Sequence, residues 1–351
     1  MAVTGSAGRV TALVPTIGGD ILAVREGADS SLSVATRVLY APGSLARVPH
    51  TTSVLLTSFE SYADRSISRL SVPDLREVER VRLSDIESRS LAGGKVDLGF
   101  GGPYSLDTSG TIAAFASTTV DGVPGVTAVD TKTWTVAWFL GPFFAVSVAY
   151  GIWRDQDVLF VGGSRASGPS YAPMLWIIDA SSRRIVDSIA LGGPTNAPGG
   201  SVQQVLSSRS AGRILVLIAG AIVSCPTSAP GGVCRRMASP AARGSLSYRE
   251  GDLTALMNDA GSRDGDSSGA IYSVALDASH IERYDLPLVN GRPASTRGVS
   301  SSATGSMWYI SAGSSPYAGG QPSRLLFYDP KSRSIVRSLP SNLEILSPFA
   351  L

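Results

Sequence analysis

The sequence predicts an all-β chain folded as one β-propeller, with seven four-stranded blades and a ring closed by its N- and C-terminal segments. Three observations lead there. Short apolar runs alternate with Gly-, Pro- and Ser-rich turns along all 351 residues. A strand-turn-strand phrase with Asp at the turn recurs at near-constant spacing. No stretch carries the period of a helix.

The repeat is clearest in three places. Residues 125–131 lead through Asp130 to 134–138, 175–180 through Asp179 to 184–189, and 325–330 through Asp329 to 334–339. Weaker copies surround Asp74 and Asp277, and Arg37-Val38-Leu39-Tyr40-Ala41-Pro42 resembles 324–330 without its Asp. The turn aspartates lie 56 positions apart from Asp74 to Asp130, 49 from Asp130 to Asp179, 98 from Asp179 to Asp277, and 52 from Asp277 to Asp329. The double interval implies a silent blade near residue 228, preceded by the strand-like run Arg213-Ile214-Leu215-Val216-Leu217-Ile218. Only 33 positions separate Ala41 from Asp74, so the first blade is expected to be split. Residues 10–40 would supply most of it and the tail near 344–349 the rest, removing exposed sheet edges. The count also admits six or eight blades.

Each part of the phrase has a physical cause. Stacked blades cover both faces of most strands, so strands read as continuous Val, Ile and Leu. An Asp at the turn accepts amide protons two residues on and fixes it. That assigns these aspartates to structure rather than catalysis. The five tryptophans fall mostly in strands, where packing between blades is the default.

Composition narrows the function. The net charge of +2, from 30 basic and 28 acidic residues, is too small for a general nucleic-acid or membrane surface. Lysine occurs only at Lys95, Lys132 and Lys331; genomic GC bias explains the arginine excess, and carboxylate or phosphate recognition is the sharper reading. No apolar run of about 18 residues is present, so no helical membrane span is expected. The start, Met1-Ala2-Val3-Thr4-Gly5, does not read as a signal peptide. Cys225 and Cys234 flank a Pro- and Gly-rich excursion where the silent blade's turn should fall. A disulfide between them would point to a secreted or periplasmic protein, whereas two buried thiols would not. With only two histidines in the chain, a zinc site is disfavoured.

The phrases Val126-Thr127-Ala128-Val129-Asp130-Thr131-Lys132-Thr133 and Trp176-Ile177-Ile178-Asp179-Ala180-Ser181-Ser182-Arg183 resemble the repeats of YVTN-type, WD40-like propellers. Ile189-Ala190-Leu191-Gly192-Gly193 and Phe139-Leu140-Gly141-Pro142 match the end of that repeat. The resemblance covers about five blades. It implies the fold, and a family that includes surface proteins, binding proteins and lactonase-like enzymes.

Three groups of residues are candidates for a site. Asp264, Asp266 and Ser268, followed by Gly269, match the opening of a calcium loop, with oxygens at alternate positions and a Gly at the bend. The twelfth position holds Ala275 where a bidentate acid belongs, so an ion-free polar loop is the simpler reading and no other cofactor is expected. Tyr104, Tyr171 and Tyr317 each sit in a Gly/Ser/Pro-rich segment. Shared across blades, such loops could present aromatic platforms on one rim to a protein or carbohydrate ligand; a packed tyrosine after a repeated turn is the plainer alternative. His50 and His280 have no chemical partner nearby in sequence, and no Gly-x-Ser-x-Gly elbow or phosphate-binding glycine loop is present. Two functions follow. The first is a binding or scaffold propeller working through one rim. The second is a hydrolase or lactonase-like enzyme with a central-channel site, for which calcium is the candidate cofactor and at whose mouth acids and histidines would converge.

Overall fold

The computed structural model describes residues 9–16, 18–26, 31–37, 41–59, 64–72, 74–88, 95–99, 104–167, 170–192, 202–228, 233–241, 244–259, 269–288, 294–313, 324–341 and 346–351. Seven antiparallel sheets form seven blades. In the fourth, Phe144–Trp153, Gln156–Ser167, Ser170–Asp179 and Arg184–Ala190 pair in sequence order. First strands of neighbouring blades touch one another and line the axis. Fourth strands form the outer edges.

Closure uses both ends of the chain. Arg9–Pro15, Asp20–Glu26 and Ser31–Arg37 are the second, third and fourth strands of the first blade, and Phe349–Ala350 is its innermost. The join pairs Ala12 with Ala350 and Leu13 with Phe349. The split first blade is therefore present. One sequence match is not a repeat: Arg37 ends one blade's outer strand and Ala41 opens the next blade's inner strand, Ala41–Arg47, whereas 324–329 is a third strand. Composition alone made them similar. One short helix, Leu83–Ser88, also lies between the second and third blades. At six residues it is too short to show an apolar period.

The core is divided into seven layers, one between each pair of neighbouring blades. The strand Arg213–Ile218 shows why its sequence is continuously apolar. Ile214, Val216 and Ile218 pack towards the fourth blade, while Leu215 and Leu217 pack towards the sixth. With side chains alternating every residue, a strand buried on both faces has no polar position to spare. All five tryptophans are buried in these layers or at their edges.

The repeated aspartates close the turns between third and fourth strands. Asp130 accepts from the amides of Lys132 (2.8 Å) and Thr133 (3.0 Å), and Asp179 from those of Ser181 (2.7 Å) and Ser182 (2.8 Å). Asp329 accepts from the Lys331 amide at 2.8 Å. Four positions on, Trp134, Arg183 and Arg333 each take a left-handed φ of 53–59° that reverses the chain. Two of these residues also latch onto the preceding blade's outer strand. Trp134 Nε1 donates to Glu79 at 2.7 Å, and Arg333 lies over the Tyr284 ring and pairs with Glu282.

The silent blade is Val202–Ser208, Arg213–Ile218, Ala221–Pro226 and Arg235–Ala238. Cys225 and Cys234 are joined in a disulfide across its third-to-fourth-strand turn, and no free cysteine is present.

Candidate functional site

Strand direction alternates within a blade. Turns joining first to second strands therefore share one face with turns joining third to fourth, and the remaining connections share the other. The first face carries a polar cavity of about 470 Å³ between the third, fourth and fifth blades. Its lining includes Asp107, Tyr150, Gln156, Asp157, Asp179 and Arg209. The carboxylates are already engaged. Asp107 accepts from the amides of Thr111 (2.8 Å) and Ile112 (2.9 Å), and Asp157 pairs with Arg209 at 3.4 Å. Asp179 is held below the usual carboxylate range by the Ser181 hydroxyl and the Ser182 amide. Burial, with the charge of Asp107 behind it, pushes the Tyr150 phenol well above its ordinary value, so it stays protonated. Among the described residues, the cavity offers hydrogen bonds and charge, but no acid and base poised against each other.

On the same face, turns from successive blades are tied together. The Arg154 amide donates to the Thr227 carbonyl at 3.0 Å, joining the fourth blade to the fifth. Glu250 accepts from the amides of Ser210 (2.6 Å) and Arg209 (3.4 Å), joining the sixth to the fifth. Arg249 donates to the Ala303 carbonyl at 2.6 Å, joining the sixth to the seventh, and is itself clamped by Asp252. Tyr248 adds a 2.7 Å bond to Ser208. Leu253 stands next to this network, 78% exposed, and Val233 beside the disulfide is 86% exposed.

The sequence candidates are distributed differently. Tyr104 begins an inner strand and Tyr171 a third strand, so both lie at the opposite end of the blades. Tyr104 is packed rather than presented. It is 8% exposed, stacks on Phe115 at 5.3 Å, and its hydroxyl donates to the Leu55 carbonyl of the second blade at 2.6 Å. The inner strand it opens must seal against the preceding blade, and the ring does this. Tyr171 is half-buried with its ring edge-on to Phe144 at 5.4 Å. Tyr317, and the calcium-loop candidates Asp264, Asp266 and Ser268, lie outside the described residues. Among the described residues no group of three or more His, Cys, Asp or Glu side chains is placed to hold a metal.

His50 is exposed in a first-to-second-strand turn of the second blade, at φ 58°. His280 is exposed in the outermost turn of the sixth blade. The structure does not bring them together, and neither is on an inner strand. Sequence reasoning missed the Arg209–Glu250 and Arg249–Ala303 ties, because nothing local marks residues about 40 to 54 positions apart as partners.

No family model matches the chain, and no curated protein matches it. Solved structures do. The WD40 repeats of RRP9 align at a TM-score of 0.56 and 12% identity, over 95% of this chain and 88% of that one. The fold is that of the WD40 propellers. The dihydro-heme d1 dehydrogenase NirN aligns at 0.55 and 14% identity, over 99% and 76%. A chain of the nidogen/laminin complex aligns at 0.52 and 9% identity, over 97% of each. A dehydrogenase and a partner in a protein complex thus share this architecture, which by itself chooses neither role.

Proposed function

We propose that the protein is a binding or scaffold propeller of an oxidising compartment, secreted or periplasmic, that docks a protein partner on the face carrying the tied turns. The observation that carries this reading is the linkage of four neighbouring blades through Arg154, Arg209, Glu250 and Arg249 beside the exposed Leu253. A surface fixed in advance loses little conformational entropy on association. An apolar side chain ringed by hydrogen-bonding groups is the composition of an interface core and its rim. The Cys225–Cys234 disulfide suits the compartment. The WD40 neighbours are of a kind that supports a protein partner, and the net charge of +2 gives no general attraction to nucleic acid.

A photo-crosslinking amino acid placed at Leu253, and separately at Val120 on the opposite face, tests the docking face in the native secreted or periplasmic fraction. A discrete adduct at 253 that excess unlabelled wild-type protein competes away, and unlabelled Leu253→Asp protein does not, supports the proposal. Adducts only at 120, or only at a probe replacing Tyr171, would move the interface to the tyrosine rim.

A further inference from the structure

The outer strand of each blade is a sheet edge, where main-chain N–H and C=O groups face outward and can pair with another strand. In five of the seven blades that edge is interrupted. The register between third and outer strands slips by one residue in the first, second, third, fourth and seventh blades. The extra residues are Ala35, Val78, Ala137, Val186 and Val336. Such bulges bend the strand and break the row of outward groups that an added strand would need. The fifth and sixth blades keep regular outer strands, Arg235–Ala238 and Ile281–Asp285. In the sixth the charges are matched: Arg283 donates to Asp285 at 2.7 Å, and Glu282 pairs with Arg333 of the next blade.

The fifth blade's edge is open and basic. The Ser239 amide donates to the Gly220 carbonyl at 3.0 Å. Bonded pairs alternate along an antiparallel ladder, so Met237 and Arg235 turn their main-chain groups to Ile222 and Ser224. The N–H and C=O groups of Arg236 and Ala238 therefore point away from the sheet. Both residues are exposed, and among the described residues neither main chain makes a hydrogen bond. The Arg236 side chain donates to the Leu191 carbonyl at 3.0 Å, which leaves its charge uncancelled. Arg235 pairs with Asp277 at 3.5 Å, but Asp277 also lies in the field of Arg213. Like charges set opposite each other across a ladder are destabilising, so this edge disfavours a second copy of itself. An extended segment with acidic side chains meets no such penalty. We infer that Arg235–Ala238 takes up an acidic strand of a partner protein as a fifth strand of its blade. The main chain of Arg236 and Ala238 supplies the pairing, and Arg235 and Arg236 select the carboxylates. The edge lies on the circumference of the ring, so the inference stands whichever face carries the docking site.

The test uses the intact chain and a capped eight-residue peptide of Thr and Val with two adjacent central Glu. Fluorescence anisotropy reads binding, and amide exchange by mass spectrometry reads the segment 235–239. Saturable binding, weakened by salt and accompanied by slowed exchange across that segment, is the expected result. The same peptide with Gln in place of Glu, or with its central amides N-methylated, should bind about tenfold more weakly. Arg235→Gln should weaken binding about fivefold. Ala238→Pro removes an outward N–H that the protein itself does not use, and Pro is tolerated at such a place on an edge strand. It should block pairing while the melting temperature holds; if the variant unfolds, the N-methylated peptide on the wild-type chain tests the same bond. No saturable binding, equal binding of the Gln or the N-methylated peptide, or binding without slowed exchange at 235–239 would each overturn the inference. So would exchange that slows on raising the protein concentration without peptide, which would make a second copy the occupant. None of these outcomes touches the crosslinking result at Leu253.

Discussion

Gln204 pairs with Leu246 as one strand pairs with another. Its side-chain amide donates to the Leu246 carbonyl at 2.9 Å and accepts from the Leu246 amide at 2.7 Å, bridging the inner strands of the fifth and sixth blades. The same device recurs around the axis. Ser105 accepts from the Tyr150 amide at 2.9 Å, and Ser147 from the Val205 amide at 3.0 Å. Inner strands fan out from one another, so their main chains cannot pair directly across blades, and polar side chains complete the bonds. Gln204→Leu should strand a buried amide and carbonyl together, costing about 1–3 kcal/mol. Urea unfolding measures it. Gln204→Glu keeps the acceptor and loses the donor, and should fall between the two; a Leu variant as stable as wild type would remove the bridge from the account.

Arg65 is the most deeply placed charge on the opposite face. Its side chain is 3% exposed, pairs with Glu87 at 2.9 Å and Asp97 at 3.1 Å, and donates to the Gly99 carbonyl. It fastens the short helix and the strand after it to the second blade. Removing one partner of a buried ionic group is worse than never having the group, because the remaining charges are left without compensation. Arg65→Met should therefore destabilise by about 3–5 kcal/mol. Arg65→Lys should recover only part, since one ammonium cannot reach three acceptors in the fork geometry. If Met and Lys variants melt alike, the charge is not what matters at this position.

The disulfide offers a cleaner measurement. Cys225 is buried in the layer between the fourth and fifth blades, and Cys234 packs against the same layer. Closing this short loop restricts the unfolded chain and should contribute about 2–3 kcal/mol. Alkylation and intact mass with and without reductant check the bond, and denaturant unfolding of the Cys225→Ala, Cys234→Ala protein checks its worth. Two alkylated thiols in oxidised, natively secreted material would refute the pairing.

Local features were legible in the sequence, and cross-blade ones were not. Asp130, Asp179 and Asp329 act within four residues, so their spacing alone exposed the blades, and the gap at residue 228 exposed the silent one. The Cys225–Cys234 loop was readable for the same reason. Tyr104 misled because a Gly/Pro-rich approach looks alike before an exposed loop and before a sealed inner strand; only Leu55, 49 positions away, decides. The tied turns at Arg209, Glu250 and Arg249 join residues that no period connects. The fold is thus carried by short-range signals, while the candidate docking surface arises from the way the ring brings distant turns together.

The turn aspartates make acid stability a test of the repeat itself. Asp179 is held below the usual carboxylate range by the Ser181 hydroxyl first, and Asp329 by the Ser332 hydroxyl. Asp277 is lowered chiefly by Ser279. At Asp130 burial works the other way, but the Thr133 and Lys132 amides outweigh it. A carboxylate whose folded pKa is depressed adds stability above its unfolded value of about 3.9, and that stability is lost as pH falls through the folded value. Unfolding midpoints should therefore hold from pH 7 to about pH 5 and decline below it. Asn at Asp179, Asp277 and Asp329 preserves the turn acceptor but does not titrate. The triple variant should be less stable at pH 7 and should lose less than wild type on going to pH 3. Parallel curves for the two proteins would mean that the acid response comes from other carboxylates, and that these turns hold their shape without charge.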